Sequence, residues 1–177
     1  VLNSHPEWKL ERVIGLGEYF NLIGLIIGTD NIGSCLNFFS FCTFLYVAYT
    51  YTADNKSNIL LFYLILTTPL FLFLIPNQKP QLYGVCAIII SLLAGLTLKR
   101  LSLSRSIVIF GAIFFAISLK YQFYLSGVIC IMILLFVHRK NIFLNIFYCI
   151  LLYVVLILPQ HLMKIDLYGN PIAPMLS

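Results

Sequence analysis

Long apolar runs separated by short polar breaks make up most of the sequence. Six such runs lie at 33–53, 58–75, 82–98, 106–119, 121–138 and 141–159. A helix needs about 20 apolar residues to cross a bilayer, and shorter helices are tolerated where the membrane thins. Backbone groups in lipid have no water to bond, so each run must be helical. The pattern predicts an all-α polytopic membrane helix bundle of about six transmembrane helices, with neighbouring helices antiparallel.

Lysine and arginine are distributed unevenly over the breaks, and alternate breaks share a side of the bundle. One side collects Lys56, Lys99, Arg100, Arg105, Arg139 and Lys140, and the other collects Lys79, Lys120 and Lys164. The excess of basic residues predicts that the first side is cytoplasmic. This assignment requires two helices in 106–138, turning at Lys120-Tyr121. A single tilted helix there would place every later break on the opposite side of the membrane.

The first thirty residues differ from the six runs. Residues 8–28 have helical apolar spacing but also carry Lys9, Glu11, Arg12, Glu18 and Asn21. Each ion at mid-membrane costs about 2.5–3.5 kcal/mol, so an amphipathic helix at the interface is the easier solution. The chain therefore divides into an outer-face amphipathic arm at 1–31, the transmembrane bundle at 32–163 and an outer-face loop at 164–177. We expect it to be a fragment of a longer protein.

The composition agrees with a membrane protein. The chain is 61% hydrophobic and 10% charged, whereas soluble domains carry about a quarter charged residues. The net charge of +5 comes without a basic cluster, so we expect no nucleic-acid partner. The five cysteines lie inside apolar runs without CxxC spacing, which indicates small packing residues rather than metal ligands or a disulfide framework.

Acidic residues are absent from most of the predicted bundle. None lies between Asp54 and Asp166, a stretch that holds five of the six predicted spans. Proton-coupled carriers usually place an ionisable acid within a helix, so this argues against that class. Any catalytic carboxylate must come from the N-terminal arm or from sequence outside the chain. His138 is interpreted as an interface anchor and His161 as a loop residue after Pro159.

Several polar segments fall on the predicted outer face, and they contain the candidate site residues. Lys79 and Lys120 are two of its three lysines, and lysine is a good point-charge partner for phosphate. A phospholipid-linked substrate would need such cations beside an apolar surface. Each lysine taken alone is more typical of a loop or snorkelling residue than of a phosphate-binding one.

The order of features resembles the integral-membrane glycosyltransferases of the GT-C type, such as the O-mannosyl and aminoarabinose transferases. The matching segments are, in chain order, His5-Pro6-Glu7-Trp8, 21–30, 34–51, Thr68-Pro69-Leu70-Phe71, Gln78-Lys79-Pro80-Gln81 and 164–174, which contains Gly169-Asn170-Pro171. The similarity covers nearly the whole chain and rests on order and spacing.

The resemblance implies transfer of a sugar from a polyprenyl-phosphate carrier to an acceptor on the outer face of a bacterial inner membrane. Glu7 and His5 would be catalytic, and Lys79 and Lys120 would bind the carrier phosphate. Gln81, Tyr168 and Asn170 would belong to the loops facing the substrate. The expected partners are the lipid-linked sugar and membrane lipid. No ligand cluster demands a metal, although a divalent ion is compatible with the chemistry.

Two alternatives share the same predicted bundle. The first is a transporter or flippase subunit for lipid-linked saccharides. The second is an O-antigen-polymerase-like protein with its chemistry on a large later outer loop. An acidic pair in the outer loop before Val1 would favour the transferase, whereas another apolar span without acidic residues there would favour the transporter. A long polar loop soon after Ser177 would favour the polymerase.

Overall fold

The computed structural model describes residues 16–29, 31–52, 69–76, 79, 81–98, 101–120 and 122–169, and these are helical throughout apart from short connections, with no strand among them. The helices are α1 (Leu16–Ile27), α2 (Ile32–Thr52), α3 (Pro69–Leu74), α4 (Gln81–Thr97), α5 (Leu103–Leu119), α6 (Phe123–Val137), α7 (Ile142–Leu152) and α8 (Leu158–Tyr168). The all-α class predicted from the sequence is thus confirmed for this part of the chain. Most of the predicted run at 58–75 lies outside the described residues.

The last helices form one continuous rod. A short 3₁₀ turn (Arg139–Asn141) leads into α7, and a π-helical turn (Tyr153–Ile157) joins α7 to α8. The rod ends where Gly169 adopts a positive φ of 69° and its N–H donates to the Ile165 carbonyl at 2.8 Å. The predicted sixth helix therefore continues beyond residue 159, and residues 164–168 of the predicted outer loop are helical.

Three glycines allow close approach of α4, α5 and α6. A Cβ on Gly84 would meet the Phe123 ring, and one on Gly95 would meet the Leu134 side chain. A Cβ on Gly127 would lie 2.5 Å from Ile117 Cγ1. Small residues at such positions let helix backbones approach closely. The pairings make α4 parallel to α6 and α5 antiparallel to both.

The stretch 106–138 is therefore a helical hairpin, as the two-helix interpretation requires. The α5 helix ends at Leu119 and α6 starts at Phe123, whose N–H donates to the Lys120 carbonyl at 3.1 Å. Lys120 and Arg139 consequently lie at opposite ends of the bundle, as predicted from the alternating breaks.

The N-terminal helix packs on the bundle by one side. The Phe20 and Phe115 rings, on α1 and α5, have centroids 6.1 Å apart, and Leu16 also packs against the main core. Its other side exposes apolar residues such as Leu25 and Ile26. The described helix covers only Leu16–Ile27 of the amphipathic segment predicted at 8–28.

Many apolar side chains are exposed on the described helices, and several polar side chains are buried within a largely apolar core. Side chains such as Asn37, Ser91, Ser106 and Asn145 are buried, whereas Phe143 is 87% exposed. Ser106 Oγ donates to Asn145 Oδ1 at 3.3 Å, and His138 Nε2 donates to the Gly95 carbonyl at 2.8 Å. Buried polar groups require such partners. Apolar side chains cover the outside of the helices.

Two helices in the described part are long and apolar enough to cross a membrane by length and composition. They are Ile32–Thr50 and Arg139–Asp166. Shorter apolar helices occupy Gln81–Thr97, Leu103–Leu119 and Phe123–Val137.

We expect Gly127→Ala to destabilise the bundle by about 1–3 kcal/mol, because the added methyl overpacks the α5–α6 contact. The matched control is Gly111→Ala, whose methyl would lie 3.8 Å from Leu152 Cδ2 in ordinary contact. Thermal melting in detergent measures the stability of both purified variants against the wild type. Equal melting temperatures for the two variants would contradict the packing argument.

Candidate functional site

Polar groups from several helices meet at one end of the bundle, here called the Lys120 end. It comprises Lys79, the start of α4, the turn from Lys120 to Gln122, and α8. Gly84 of α4 packs against Phe123, and Tyr124 of α6 contacts His161 of α8. These contacts bring segments from three parts of the chain to one end.

The two predicted phosphate-binding lysines both lie here. Lys79 is exposed, and its carbonyl accepts hydrogen bonds from the Gln81 N–H at 2.8 Å and from Asn37 Nδ2 at 3.2 Å. Lys120 is half-buried, directly after the last residue of α5. Gln81 is half-buried as the first residue of α4. Hydrogen bonds to their carbonyls thus fix the backbone at both lysines.

Asn37 of α2 holds the segment around Lys79 in place. Its side chain is fully buried, and its Nδ2 donates to the Leu74 and Lys79 carbonyls, each at 3.2 Å. Its Oδ1 accepts from the Tyr83 N–H at 3.2 Å. One amide therefore bonds backbone groups on both sides of the α3–α4 connection. An asparagine inside an apolar run is the sequence signal for such a role.

The remaining predicted site side chains lie outside the part of the chain that the structure describes. His5, Glu7 and Asn170 lie outside the described residues. Tyr168 is the last residue of α8, and its side chain is also outside the described part. Their predicted roles stay predictions.

His161 is the centre of a hydrogen-bonded group that the sequence interpretation missed. Its Nε2 is 2.6 Å from Tyr124 Oη, and its Nδ1 is 3.2 Å from Tyr153 Oη. The Tyr124 and His161 rings are only 15° from parallel, with centroids 6.1 Å apart. The short contact between Tyr124 Oη and Nε2 is a hydrogen bond, and the histidine tautomer decides which of the two groups donates.

Pro159 and the π turn explain how Tyr153 reaches His161. Pro159 has no N–H for the preceding turn, and Leu158 donates its N–H to the Tyr153 carbonyl, five residues back. In a regular α-helix, the side chains of two residues eight positions apart leave the helix axis in directions about 80° apart. The wider turn rotates less per residue, so it brings Tyr153 and His161 onto one face. Such π turns occur frequently at functional sites.

Lys164 lies one turn beyond His161 on the same helix face. It is only 9% exposed, which is unusual for a lysine. Asp166, two residues further, is exposed. The Lys120 end therefore combines a nearly buried ammonium, a half-buried lysine and a histidine whose two ring nitrogens are both engaged.

This arrangement can bind an anion and can accept or donate a proton. Lysine supplies positive charge, and a neutral histidine carries one donor and one acceptor nitrogen, so one tyrosine hydroxyl donates to it and the other accepts. Among the described residues, no group of three or more His, Cys, Asp or Glu is placed to hold a metal. The divalent ion stays a prediction.

The interpretation of His161 as a loop residue was wrong, because α8 continues through it to Tyr168. The sequence did carry two signals. Pro159 within an apolar run indicates a helix distortion, and the spacing of three between His161 and Lys164 places both on one helix face. The tyrosine partners come from tertiary packing and from the π turn, which periodicity does not predict.

We expect Tyr124→Phe to lower stability by about 1 kcal/mol, since it removes one hydrogen bond to a half-buried ring. For a chain of this length this corresponds to about 2–4 °C in melting temperature. Tyr46→Phe is the matched control, because Tyr46 is 70% exposed on α2. An unchanged melting temperature for Tyr124→Phe would show that the bond contributes nothing.

Comparisons with known proteins identify a family and no relative of known function. No curated protein matches the chain, and no solved structure does. A family model described as the DUF1420 N-terminal domain matches residues 2–176. The chain therefore belongs to the DUF1420 N-terminal domain family.

Proposed function

We propose that the chain is a multi-pass membrane segment with about six spans and a helix at the outer interface. The apolar outside of the helices supports this, because so large an exposed apolar surface needs a partner other than water. The rod from Arg139 to Asp166 has 28 residues, about 42 Å at 1.5 Å per residue. A hydrocarbon core of about 30 Å, entered at Lys140, would end near residue 160, just before His161 and Lys164.

The Lys120 end would face outward, across a bacterial inner membrane. Arg105, Arg139 and Lys140 are exposed at the other end of the bundle, and basic residues concentrate on the cytoplasmic side of membrane proteins. The α5–α6 hairpin supports this orientation, since it separates Lys120 from these three residues by one crossing.

We further propose that the chain is a fragment of a membrane glycosyltransferase of the GT-C type, which moves a sugar from a polyprenyl-phosphate carrier to an acceptor on the outer face. The observation that carries this proposal is the pairing of cations with a hydrogen-bonded histidine at one end of an apolar bundle. A lipid-linked phosphate needs both surroundings: apolar helices for its chain and positive charge for its head.

The chemistry assigns separate tasks to these groups. When the bond between sugar and phosphate breaks, negative charge develops on the departing phosphate, and preplaced cations stabilise it most where water is scarce. Lys120 and Lys79 would supply that charge at the membrane surface, and the nearly buried Lys164 lies on a helix that reaches the same end of the bundle. The acceptor hydroxyl must also lose a proton to a positioned base.

The membrane arrangement predicts opposite accessibility for two neutral positions. Gln122 and Asn141 are both exposed, at opposite ends of α6. In a cysteine-free full-length protein, Gln122→Cys should react with a membrane-impermeant maleimide in intact cells. Asn141→Cys should react only after the membrane is opened. Labelling of both from one side would contradict the crossing, and the reverse pattern would contradict the orientation.

We expect Lys120→Ala to lower sugar transfer from a radiolabelled polyprenyl-phosphate sugar by about 100-fold, as loss of a transition-state donor does elsewhere. Lys79→Ala should also lower the rate of sugar transfer. Lys140→Ala, an exposed lysine at the opposite end, is the matched control and should keep full activity.

The assay uses the full-length protein in membranes at matched expression. Equal activity in Lys120→Ala and Lys140→Ala would remove Lys120 from the carrier site. If the wild type transfers no sugar from any carrier pool, the transferase proposal fails, and movement of lipid-linked saccharide across the membrane becomes the activity to measure.

A further inference from the structure

We propose that His161 is the proton acceptor for the acceptor hydroxyl, with Tyr124 as the residue that touches that hydroxyl and Tyr153 as the residue that positions the ring. This inference rests on the proposed transfer reaction and adds the base that it requires. From the sequence, the expected base is a carboxylate such as Glu7. The described part of the bundle places a histidine at the Lys120 end instead.

The hydrogen bonds support a division of roles between the two tyrosines. Tyr124 is the second residue of α6, at the Lys120 end, and its Oη is 2.6 Å from Nε2. Tyr153 lies eight residues before His161, deeper along the rod, with its Oη 3.2 Å from Nδ1. An acceptor approaching from the membrane surface would therefore meet Tyr124 before Tyr153.

The two hydrogen bonds of the His161 ring are suited to proton transfer. Nδ1–H donates to Tyr153 Oη in the proposed tautomer, which leaves Nε2 bare to accept from the Tyr124 hydroxyl. The protonation of one histidine nitrogen is set by the hydrogen bond that the other makes. The 2.6 Å separation between Nε2 and Tyr124 Oη is that of a short hydrogen bond, along which a proton can move.

The proposed step balances as follows. The acceptor oxygen bonds to the anomeric carbon of the sugar while the bond from that carbon to the phosphate oxygen breaks, and its electron pair stays on the lipid phosphate. The acceptor proton moves to Tyr124 Oη as Tyr124 gives its own proton to Nε2. His161 leaves the step as an imidazolium and later releases the proton to water. No oxidant, reductant or further reactant is needed.

The π turn gives the arrangement its rigidity. Tyr153 is aligned with His161 because the turn at Tyr153–Ile157 reduces the rotation between them. General bases contribute typically about 10²–10⁴-fold to rate when they are held in position. An imidazole on α8 that is hydrogen-bonded both to α6 and to the π turn satisfies that requirement better than an isolated loop histidine.

The test compares variants of the full-length protein in membranes, with transfer from a radiolabelled polyprenyl-phosphate sugar as the readout. We expect His161→Ala to lower kcat by about 100-fold or more with little change in KM for the carrier. Added imidazole should restore a measurable part of the rate, because it replaces the missing base. Tyr124→Phe should lower kcat similarly and gain nothing from imidazole.

Tyr46→Phe is the matched tyrosine control, since Tyr46 lies exposed on α2 outside this group, and it should transfer at the wild-type rate. Detergent gel filtration and the amount of inserted protein check that each variant folds. His161→Gln supplies a second variant, because glutamine keeps a hydrogen bond but cannot hold the proton. It should be as slow as His161→Ala.

Distinct results separate this inference from the proposed function. If the wild type transfers sugar and inserted His161→Ala keeps its rate, the inference is overturned and the transferase proposal stands. If His161→Gln transfers sugar at the wild-type rate, the role of His161 is structural and the inference is overturned. If the wild type transfers nothing, the proposed function fails and this inference fails with it.

Discussion

Close packing of α4, α5 and α6 is the contact on which the rest of the structure depends. Gly127 makes room for the Ile117 side chain and Gly84 for the Phe123 ring, so each helix pair is separated by one side chain instead of two. This packing closes 106–138 into a hairpin and fixes which polar breaks share an end. Without it, Lys120 and the start of α4 would not meet. The Lys120 end is a consequence of where glycines interrupt otherwise bulky helices.

Buried polar groups then fix the elements around these three helices. Asn37 bonds the backbone on both sides of the α3–α4 connection, and Ser106 bonds Asn145 between α5 and α7. A buried polar group is stabilised by a partner inside the protein. These bonds therefore select contacts between the helices, and those of Asn37 hold Lys79 beside the first turn of α4.

Around His161, local backbone geometry and tertiary packing act together. The missing N–H of Pro159 accompanies a wider turn, the turn aligns Tyr153 with the ring, and α6 supplies Tyr124 from another part of the chain. In a regular helix, Tyr153 would lie about 80° from His161 around the helix axis. The histidine consequently has both nitrogens engaged in a region that carries few other groups able to move a proton.

The sequence by itself determined the helical class, the approximate positions of the described helices and the separation of Lys120 from Arg139 and Lys140. These follow from apolar run length and break spacing, because uninterrupted apolar runs of this length favour helices over strands. It also indicated Lys79 and Lys120 as surface cations. The tertiary structure decided between one and two helices in 106–138, and it alone showed that α8 extends through His161 and that two tyrosines converge on that ring. The tyrosine contacts depend on residues distant in the chain and on a π turn whose position Pro159 marks but whose rotation apolar periodicity does not predict.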